Sequence, residues 1–210
     1  LVLLVPYFVS HSMAGDNRLV PLALTVCLGV ANAMIGFVDD YTKLSHKENQ
    51  GLRSWQKFLL QVIVAALYLW AMATWGGMDT VLPLKAVGLE IDLGAFYYII
   101  MLIVIVGVVN STNLTDGIDG LASTVALVAG MGLSLVAFIL ADSGALIISA
   151  LLIGGMIGFL VFNYHPAKVF MGDTGSLFLG AILIGVGIMM DRPVILLLLC
   201  GPPARASSTT

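Results

Sequence analysis

Long apolar runs alternate with short polar segments along almost the whole chain. Six of these runs have roughly the length, about 20 residues, that an α-helix needs to cross the hydrocarbon core of a bilayer. They cover 20–38, 56–75, 94–111, 121–141, 145–162 and 176–190, whereas the runs 1–9 and 194–200 are too short to cross. Unbroken runs are not typical of a membrane β-barrel, whose strands alternate apolar and polar positions. The pattern therefore predicts an all-α fold, a polytopic transmembrane helical bundle with about six complete spans and two partial ones.

The composition supports a membrane protein. Hydrophobic residues make up 60% of the chain and its mean hydropathy is +1.05. The net charge of −3 argues against a nucleic-acid partner, which a basic surface would attract. The chain has 23 glycines, and Gly154 and Gly158 form a GxxxG pair that predicts close packing of one helix against another.

The polar segments divide between the two sides of the membrane. Because successive spans reverse direction, segments 39–55, 112–120 and 163–175 share one side. Together with the start of the following helix, this side carries Lys43, Lys47, Arg53, Lys57 and Lys168, and the other side carries Arg18, Lys85 and Arg192. The excess of positive charge predicts that the first side is cytoplasmic. Five aspartates also fall on this side, at the ends of the spans: Asp39, Asp40, Asp116, Asp119 and Asp173.

The first acidic motif is GFVDDYTK, residues 36–43. The adjacent carboxylates of Asp39 and Asp40 repel each other, so the pair needs a cation or a shared proton. Lys43 and Lys47 follow within two helical turns. This mixture would suit a metal-bound phosphate, because the acids would hold the cation and the lysines would face the anion. A helix end with compensating charges is the alternative.

The second motif is NLTDGIDGLA, residues 113–122. Asp116 and Asp119 are three residues apart, which predicts that one helical turn presents both on the same face. Gly117 and Gly120 would let a ligand or another backbone approach closely. The alternative is that Asp116 caps a helix that begins near residue 118.

The third motif is FNYHPAKVFMGDTGSL, residues 162–177. Phe170 offers an aromatic face on which a base can stack. Asp173 offers the hard oxygen that Mg²⁺ takes together with substrate phosphates. Simple capping of the next helix would also explain Asp173, and His165 on its own is typical of an ordinary loop histidine.

Taken together, GFVDDYTK, NLTDGIDGLA and PAKVFMGDTGSL resemble, in this order and spacing, the polyprenyl-phosphate N-acetylhexosamine-1-phosphate transferases, the glycosyltransferase 4 family. The resemblance covers about residues 10–200. Thr115 and the segment KENQGLRSWQKFLLQ are similar to the branch that uses a muramoyl-pentapeptide donor. The resemblance implies Mg²⁺-dependent transfer of phospho-N-acetylmuramoyl-pentapeptide from UDP-MurNAc-pentapeptide to undecaprenyl phosphate, which gives lipid I and UMP. It further implies a site that faces the cytoplasm at the bacterial plasma membrane, and a homodimer.

The resemblance also implies which residues are catalytic. Asp173 would be the Mg²⁺ ligand, and Asp39 would position or deprotonate the acceptor phosphate. Asp40 would support the metal or the lysines. Covalent attack by an aspartate and direct attack by the lipid phosphate both remain open.

Ten residues are implied as substrate contacts. Asp116 and Asp119 would line the nucleotide site, and a uracil pocket would form around Phe170. Asparagine amides would hydrogen-bond the nucleotide or its phosphates, while lysines offset phosphate charge. The predicted substrate-binding residues are Lys43, Lys47, Asn113, Asp116, Gly117, Ile118, Asp119, Asn163, Phe170 and Gly172.

We expect a single transmembrane transferase domain over 1–200, incomplete at both ends, and a tail over 201–210 that does not resemble the family. Two features of the family are not in this chain. They are a basic motif expected before residue 1 and a histidine-rich loop expected after the next span. The apolar run at 194–200 stops before Pro202 and Pro203, which predicts a truncated or frameshifted reading. Three alternatives remain: transfer of N-acetylglucosamine 1-phosphate to the same lipid, an ion-coupled transporter, and an inactive fragment.

Overall fold

The computed structural model describes residues 19–46, 51–84, 89–191 and 193. This part of the chain has six α-helices that are long and apolar enough to cross a membrane, which confirms the predicted helical bundle and makes the chain a multi-pass membrane protein. The two predicted partial spans, 1–9 and 194–200, lie outside the described residues, as does the 201–210 tail. The helices are α1 Leu19–His46, α2 Ser54–Trp75, α3 Ala95–Thr115, α4 Leu121–Ile139, α5 Ser143–Asn163 and α6 Gly172–Met189.

Helix α6 lies at the centre of the bundle. Inside the protein, 67% of its span is buried, against 22–39% for the spans of the other five helices. It packs most extensively against α1 and α3. Glycine allows this close approach: a Cβ atom at Gly180 would lie 2.8 Å from the Cα atom of Val109 on α3. The outer helices instead expose large apolar side chains such as Phe138 and Val161, as a lipid-facing surface requires.

Helix α1 is longer than its apolar run. The run ends at residue 38, and Asp39 was predicted to open a loop, but the helix continues to His46. Asp39 and Lys43 are four residues apart and form an ion pair along this extension. The first acidic motif therefore lies on a helix rather than in a loop, and the direction of each side chain is set by the helical turn.

A small β-hairpin interrupts the all-helical pattern between α2 and α3. Strands β1 Val81–Leu84 and β2 Leu89–Asp92 pair antiparallel, with Val81 opposite Asp92. The hairpin lies in the polar connection 76–93 between two of the predicted spans. The backbone N–H of Gly94 and the hydroxyl of Thr80 donate to Asp92 and lower the pKa of its carboxyl.

The predicted GxxxG contact is not made within the described part of the chain. A Cβ atom placed on Gly154 or Gly158 would meet no atom within 4 Å. Both glycines lie on α5, whose span is the least buried of the six.

Candidate active site

The three sequence motifs meet at one end of the bundle, as the alternation of spans predicts. The end of α1 carries Asp39 and Asp40, and the first turn of α6 carries Asp173. One carboxylate oxygen from each of these three residues lies within 4.8 Å of the others. Residues separated by more than 130 positions therefore form one acidic cluster.

Two lysines partly neutralise this cluster of three carboxylates. The Nζ atom of Lys43 lies 2.7 Å from Asp39 Oδ2 and 2.9 Å from Asp173 Oδ2, and more distantly 3.9 Å from Asp40 Oδ1. Lys57, in the first turn of α2, places its Nζ atom 2.8 Å from the same Oδ2 atom of Asp173. An ammonium group held among three carboxylates shows that the cluster accommodates a cation.

The backbone that precedes α2 covers Asp39. The Asp39 side chain is only 4% exposed, and its Oδ1 atom accepts a hydrogen bond of 2.7 Å from the backbone N–H of Leu52. A Cβ atom at Gly51 would lie 2.6 Å from that same Oδ1 atom. Residue 51 therefore has to be a glycine for the loop to lie this close to the carboxylate.

Asp173 uses both of its carboxylate oxygens. Its Oδ2 atom faces Lys43 and Lys57, and its Oδ1 atom accepts a hydrogen bond of 2.7 Å from Asn113 Nδ2. The same amide nitrogen lies 2.7 Å from the hydroxyl of Ser176, one turn further along α6. The last turn of α3 therefore holds the first turn of α6 through Asn113.

The prediction that Asp116 and Asp119 share one face of a helical turn is wrong. Residues 116–120 form a non-helical turn between α3 and α4, because α3 ends at Thr115 and α4 begins only at Leu121. Asp116 is the C-terminal cap residue of α3, not an N-terminal cap of α4. The two carboxylates consequently have different surroundings.

The environments of these two acids move their pKa values in opposite directions. Burial, and then the negative charge of Asp173, raise the pKa of Asp116 to about 6, although the backbone N–H of Gly172 partly offsets this. Asp119 instead accepts a hydrogen bond of 3.1 Å from the backbone N–H of Ala167 and lies 2.9 Å from Nδ1 of His165. These contacts lower the pKa of Asp119.

Asn163 connects the loop after α5 to the start of α4. Its side chain is buried, and its Oδ1 atom accepts hydrogen bonds from the backbone N–H of Gly120 at 3.1 Å and from Ser123 Oγ at 2.8 Å. Its Nδ2 atom donates to the carbonyl of Val169 at 2.9 Å. The amide thus positions the loop next to Phe170, and its predicted contact with the nucleotide stays a prediction.

The residues predicted to form a uracil pocket include two exposed apolar side chains. Phe170 and Ile118 are 54% and 63% exposed, and they belong to the connections before α6 and before α4. A Cβ atom at Gly117 would meet only the carbonyl of Leu114, at 3.7 Å. The contacts of Asp119 and Asn163 tie together the two turns that carry these residues. Stacking of a base here remains a prediction.

A cavity of about 640 Å³ opens beside the acidic cluster. Its size falls in the range of small-molecule sites in proteins. The ends of α1, α2 and α3 and the loop before α2 supply its lining, which is rich in polar groups: Asp39, Lys43, Gly51, Leu52, Arg53, Ser54, Lys57, Asn110 and Asn113. Lysine and arginine on its wall favour an anionic ligand next to the acids.

Sequence reasoning missed several groups of this site. Lys57 was counted only among the positive charges of one side of the membrane, although a lysine in the first turn of an apolar helix is itself a signal. The backbone N–H of Leu52 has no side-chain signal at all. Thr174 contacts Asp40 and Ser176 contacts Asn113, and these contacts follow from packing alone. Lys47, which was predicted as a substrate contact, lies outside the described residues.

The donor set suits a hard divalent cation. Carboxylate oxygens are the ligands that Mg²⁺ takes in proteins, usually together with phosphate oxygens. Asp173 and Asp39 both have oxygens near the Lys43 ammonium, so this position already stabilises positive charge. Ammonium groups beside the acids can then contact the phosphates that such a cation would bind.

Comparison with known proteins places these motifs in a wider context. The profile of glycosyl transferase family 4 matches residues 22–191. The chain is 38% identical over 200 residues to the phospho-N-acetylmuramoyl-pentapeptide-transferase of Halalkalibacterium halodurans, covering 95% of this chain and 61% of that protein. It is 37% identical to the enzyme of that name from Listeria monocytogenes, over 94% of this chain and 60% of the relative. With the Streptococcus thermophilus enzyme of the same name it shares 43% identity, over 79% of this chain and 48% of the relative. The chain thus spans about half to three fifths of the length of these relatives.

Proposed function

Because this chain belongs to glycosyl transferase family 4, we propose that it has the activity for which its similar relatives are named. The reaction transfers phospho-N-acetylmuramoyl-pentapeptide from UDP-MurNAc-pentapeptide to undecaprenyl phosphate. A bond between phosphorus and the UMP oxygen breaks, and a bond between that phosphorus and an oxygen of the lipid phosphate forms. The products are lipid I and UMP.

One observation carries this proposal: a cluster of acids and lysines lies beside a polar cavity at one end of a membrane bundle. A phosphoryl transfer brings two anionic groups together, so the site needs positive charge where they meet. Lys43 and Lys57 supply that charge through their ammonium groups. A cluster of acids without these lysines would repel both substrates.

Asp173 and Asp39 are the residues that would hold Mg²⁺. The cation, when bound, would supply charge neutralisation at the transferring phosphoryl group. Asn113 fixes the orientation of the Asp173 carboxylate, and the N–H of Leu52 fixes that of Asp39. The acceptor phosphate is already largely ionised near neutral pH, so direct attack would need little base catalysis. A route through a covalent aspartyl intermediate would use the same cluster.

The position of the site suits one polar and one lipid substrate. We place it at the cytoplasmic face of the bacterial plasma membrane, where a nucleotide donor would enter from the cytosol. The acceptor would enter from the bilayer beside the exposed apolar faces of the helices. The donor nucleotide would lie near Asp116 and Asp119, with its uracil at Phe170. Assembly of two copies into a homodimer belongs to the same proposal.

The test uses the detergent-solubilised chain, labelled undecaprenyl phosphate and Mg²⁺. UDP-MurNAc-pentapeptide and UDP-N-acetylglucosamine are supplied separately, and Asp173→Asn serves as the matched inactive control. We expect labelled lipid I and UMP from the muramoyl donor alone, and none with Asp173→Asn. Turnover of UDP-N-acetylglucosamine instead would assign the chain to the sister activity. No turnover with either donor would contradict the proposed activity for this chain.

A further inference from the structure

Asp40 contacts the start of α6 and not the cavity. Its Oδ2 atom accepts hydrogen bonds from the backbone N–H of Thr174 at 3.0 Å and from the Thr174 hydroxyl at 2.7 Å. Its Oδ1 atom lies 3.4 Å from the backbone nitrogen of Asp173. Both oxygens of this carboxylate are therefore directed at the first turn of one helix.

Helical geometry separates Asp40 from its neighbour. Consecutive residues of an α-helix point about 100° apart, so Asp39 and Asp40 leave α1 in different directions. Asp39 lines the cavity and pairs with Lys43 at 2.7 Å, whereas the Lys43 ammonium is 3.9 Å from Asp40. The adjacent acids of the first motif thus have two different environments.

The first turn of α6 needs an acceptor from elsewhere. The first four N–H groups of a helix have no partner inside the helix, and a side chain at the N-terminal cap usually satisfies one of them. At α6 the cap residue is Met171, which makes no such hydrogen bond. A carboxylate at this position also interacts favourably with the positive end of the helix dipole.

We propose that Asp40 is a positioning residue, which caps α6 from α1 and thereby holds the Asp173 carboxylate at a set distance from Asp39. It acts through Asp173 and is not a principal ligand of the cation. This proposal deepens the proposed function, but the hydrogen bonds on which it rests do not depend on the reaction.

Thermal unfolding in EDTA tests the cap without any cation. Asparagine keeps one acceptor oxygen, which can serve the two Thr174 donors, whereas alanine keeps none. We expect Asp40→Ala to lower Tm by about 4 °C and Asp40→Asn to lower it by less than half as much, although both lose the same charge. Thr174→Val removes the hydrogen bond between the Thr174 hydroxyl and Asp40. The double variant Asp40→Ala/Thr174→Val should therefore have a Tm only slightly below that of Asp40→Ala. The proposal would be overturned if the Tm losses of Asp40→Ala and Thr174→Val added fully in the double variant. It would also be overturned if Asp40→Asn and Asp40→Ala lowered Tm equally.

Cation affinity separates a cap from a ligand. Binding of Mn²⁺ can be followed by electron paramagnetic resonance in the absence of both substrates. Asp40→Asn and Asp173→Asn each remove one negative charge, so a general charge effect is the same in both. We expect Asp173→Asn to weaken Mn²⁺ binding at least about tenfold more than Asp40→Asn, because of these two residues only Asp173 would be a ligand of the cation. Equal weakening would make Asp40 a ligand and reject its positioning role. Neither thermal unfolding nor Mn²⁺ affinity requires transferase activity. Both can therefore test the role of Asp40 even if the proposed function is wrong.

Discussion

Gly36→Ala is the most direct test of how α1 and α6 form the site. Gly36 lies on α1, one turn before the acids, where α1 crosses the first turn of α6. An added Cβ atom would lie 2.3 Å from the carbonyl oxygen of Asp173 and 2.6 Å from the nitrogen of Thr174. These are backbone atoms, so no side-chain rotation can relieve the overlap.

The size of the effect follows from these distances. Ordinary van der Waals contact with a Cβ atom begins at 3.4 Å, so the two helices must separate by about 1 Å. Overpacking of this kind destabilises by roughly 1–3 kcal/mol, which corresponds to a loss of about 4–8 °C in Tm near the middle of that range. The shift also moves Asp173 away from Asp39 and Lys43. A misplacement of about 1 Å can lower a catalytic rate by about 100-fold.

Gly158→Ala is the matched control. It makes the same change in a membrane-spanning helix, but its Cβ atom would meet no atom within 4 Å. Alanine favours a helix over glycine by up to about 1 kcal/mol, so the Tm of this variant should stay the same or rise. Both variants are purified in the same detergent and compared by thermal unfolding in EDTA, by Mn²⁺ affinity and by transfer rate.

Two outcomes would contradict the reasoning. If Gly36→Ala matched Gly158→Ala in Tm, cation affinity and rate, α1 and α6 would not approach each other as closely as the structure has them. A fall in Tm without loss of cation affinity would mean that the helices separate while the acids stay together, which contradicts the stated cause of the rate loss.

Three further predictions concern charge and the open loops. Lys43→Met should tighten Mn²⁺ binding several-fold because it removes an ammonium that competes for the same carboxylates, and weaker binding would reject that competition. Mn²⁺ binding should also tighten as pH rises from about 5 to about 7, since deprotonation of Asp116, whose pKa is raised to about 6, adds negative charge beside the site. Asp116→Asn should flatten that pH profile, and an unchanged profile would show that another group titrates. Phe170→Ala should raise the KM for the nucleotide donor about tenfold more than the KM for the lipid, and equal changes would argue against base stacking.

The apolar pattern by itself determined the architecture. Runs of about 20 apolar residues have few alternatives in a bilayer, because only a helix satisfies every backbone hydrogen bond within one segment. Alternation of the spans then required the three acidic motifs to lie on one side. The small-residue pair on α5 shows the limit of such patterns: its spacing predicts packing, yet a Cβ atom added to Gly154 or Gly158 would meet no atom of the described residues within 4 Å.

Only the tertiary structure decided what each acid of the site does. Asp39 and Asp40 are neighbours in sequence, yet the turn of α1 directs one to Lys43 and the cavity and the other to the start of α6. Asp116 and Asp119 looked equivalent until the turn between α3 and α4 gave them different partners. The reason is physical: hydropathy records whether a residue prefers lipid or water, whereas the direction of a side chain and its partner 130 residues away depend on how the helices pack. The sequence thus determined which groups reach the membrane surface, and the packing of α6 between α1 and α3 decided which of them meet.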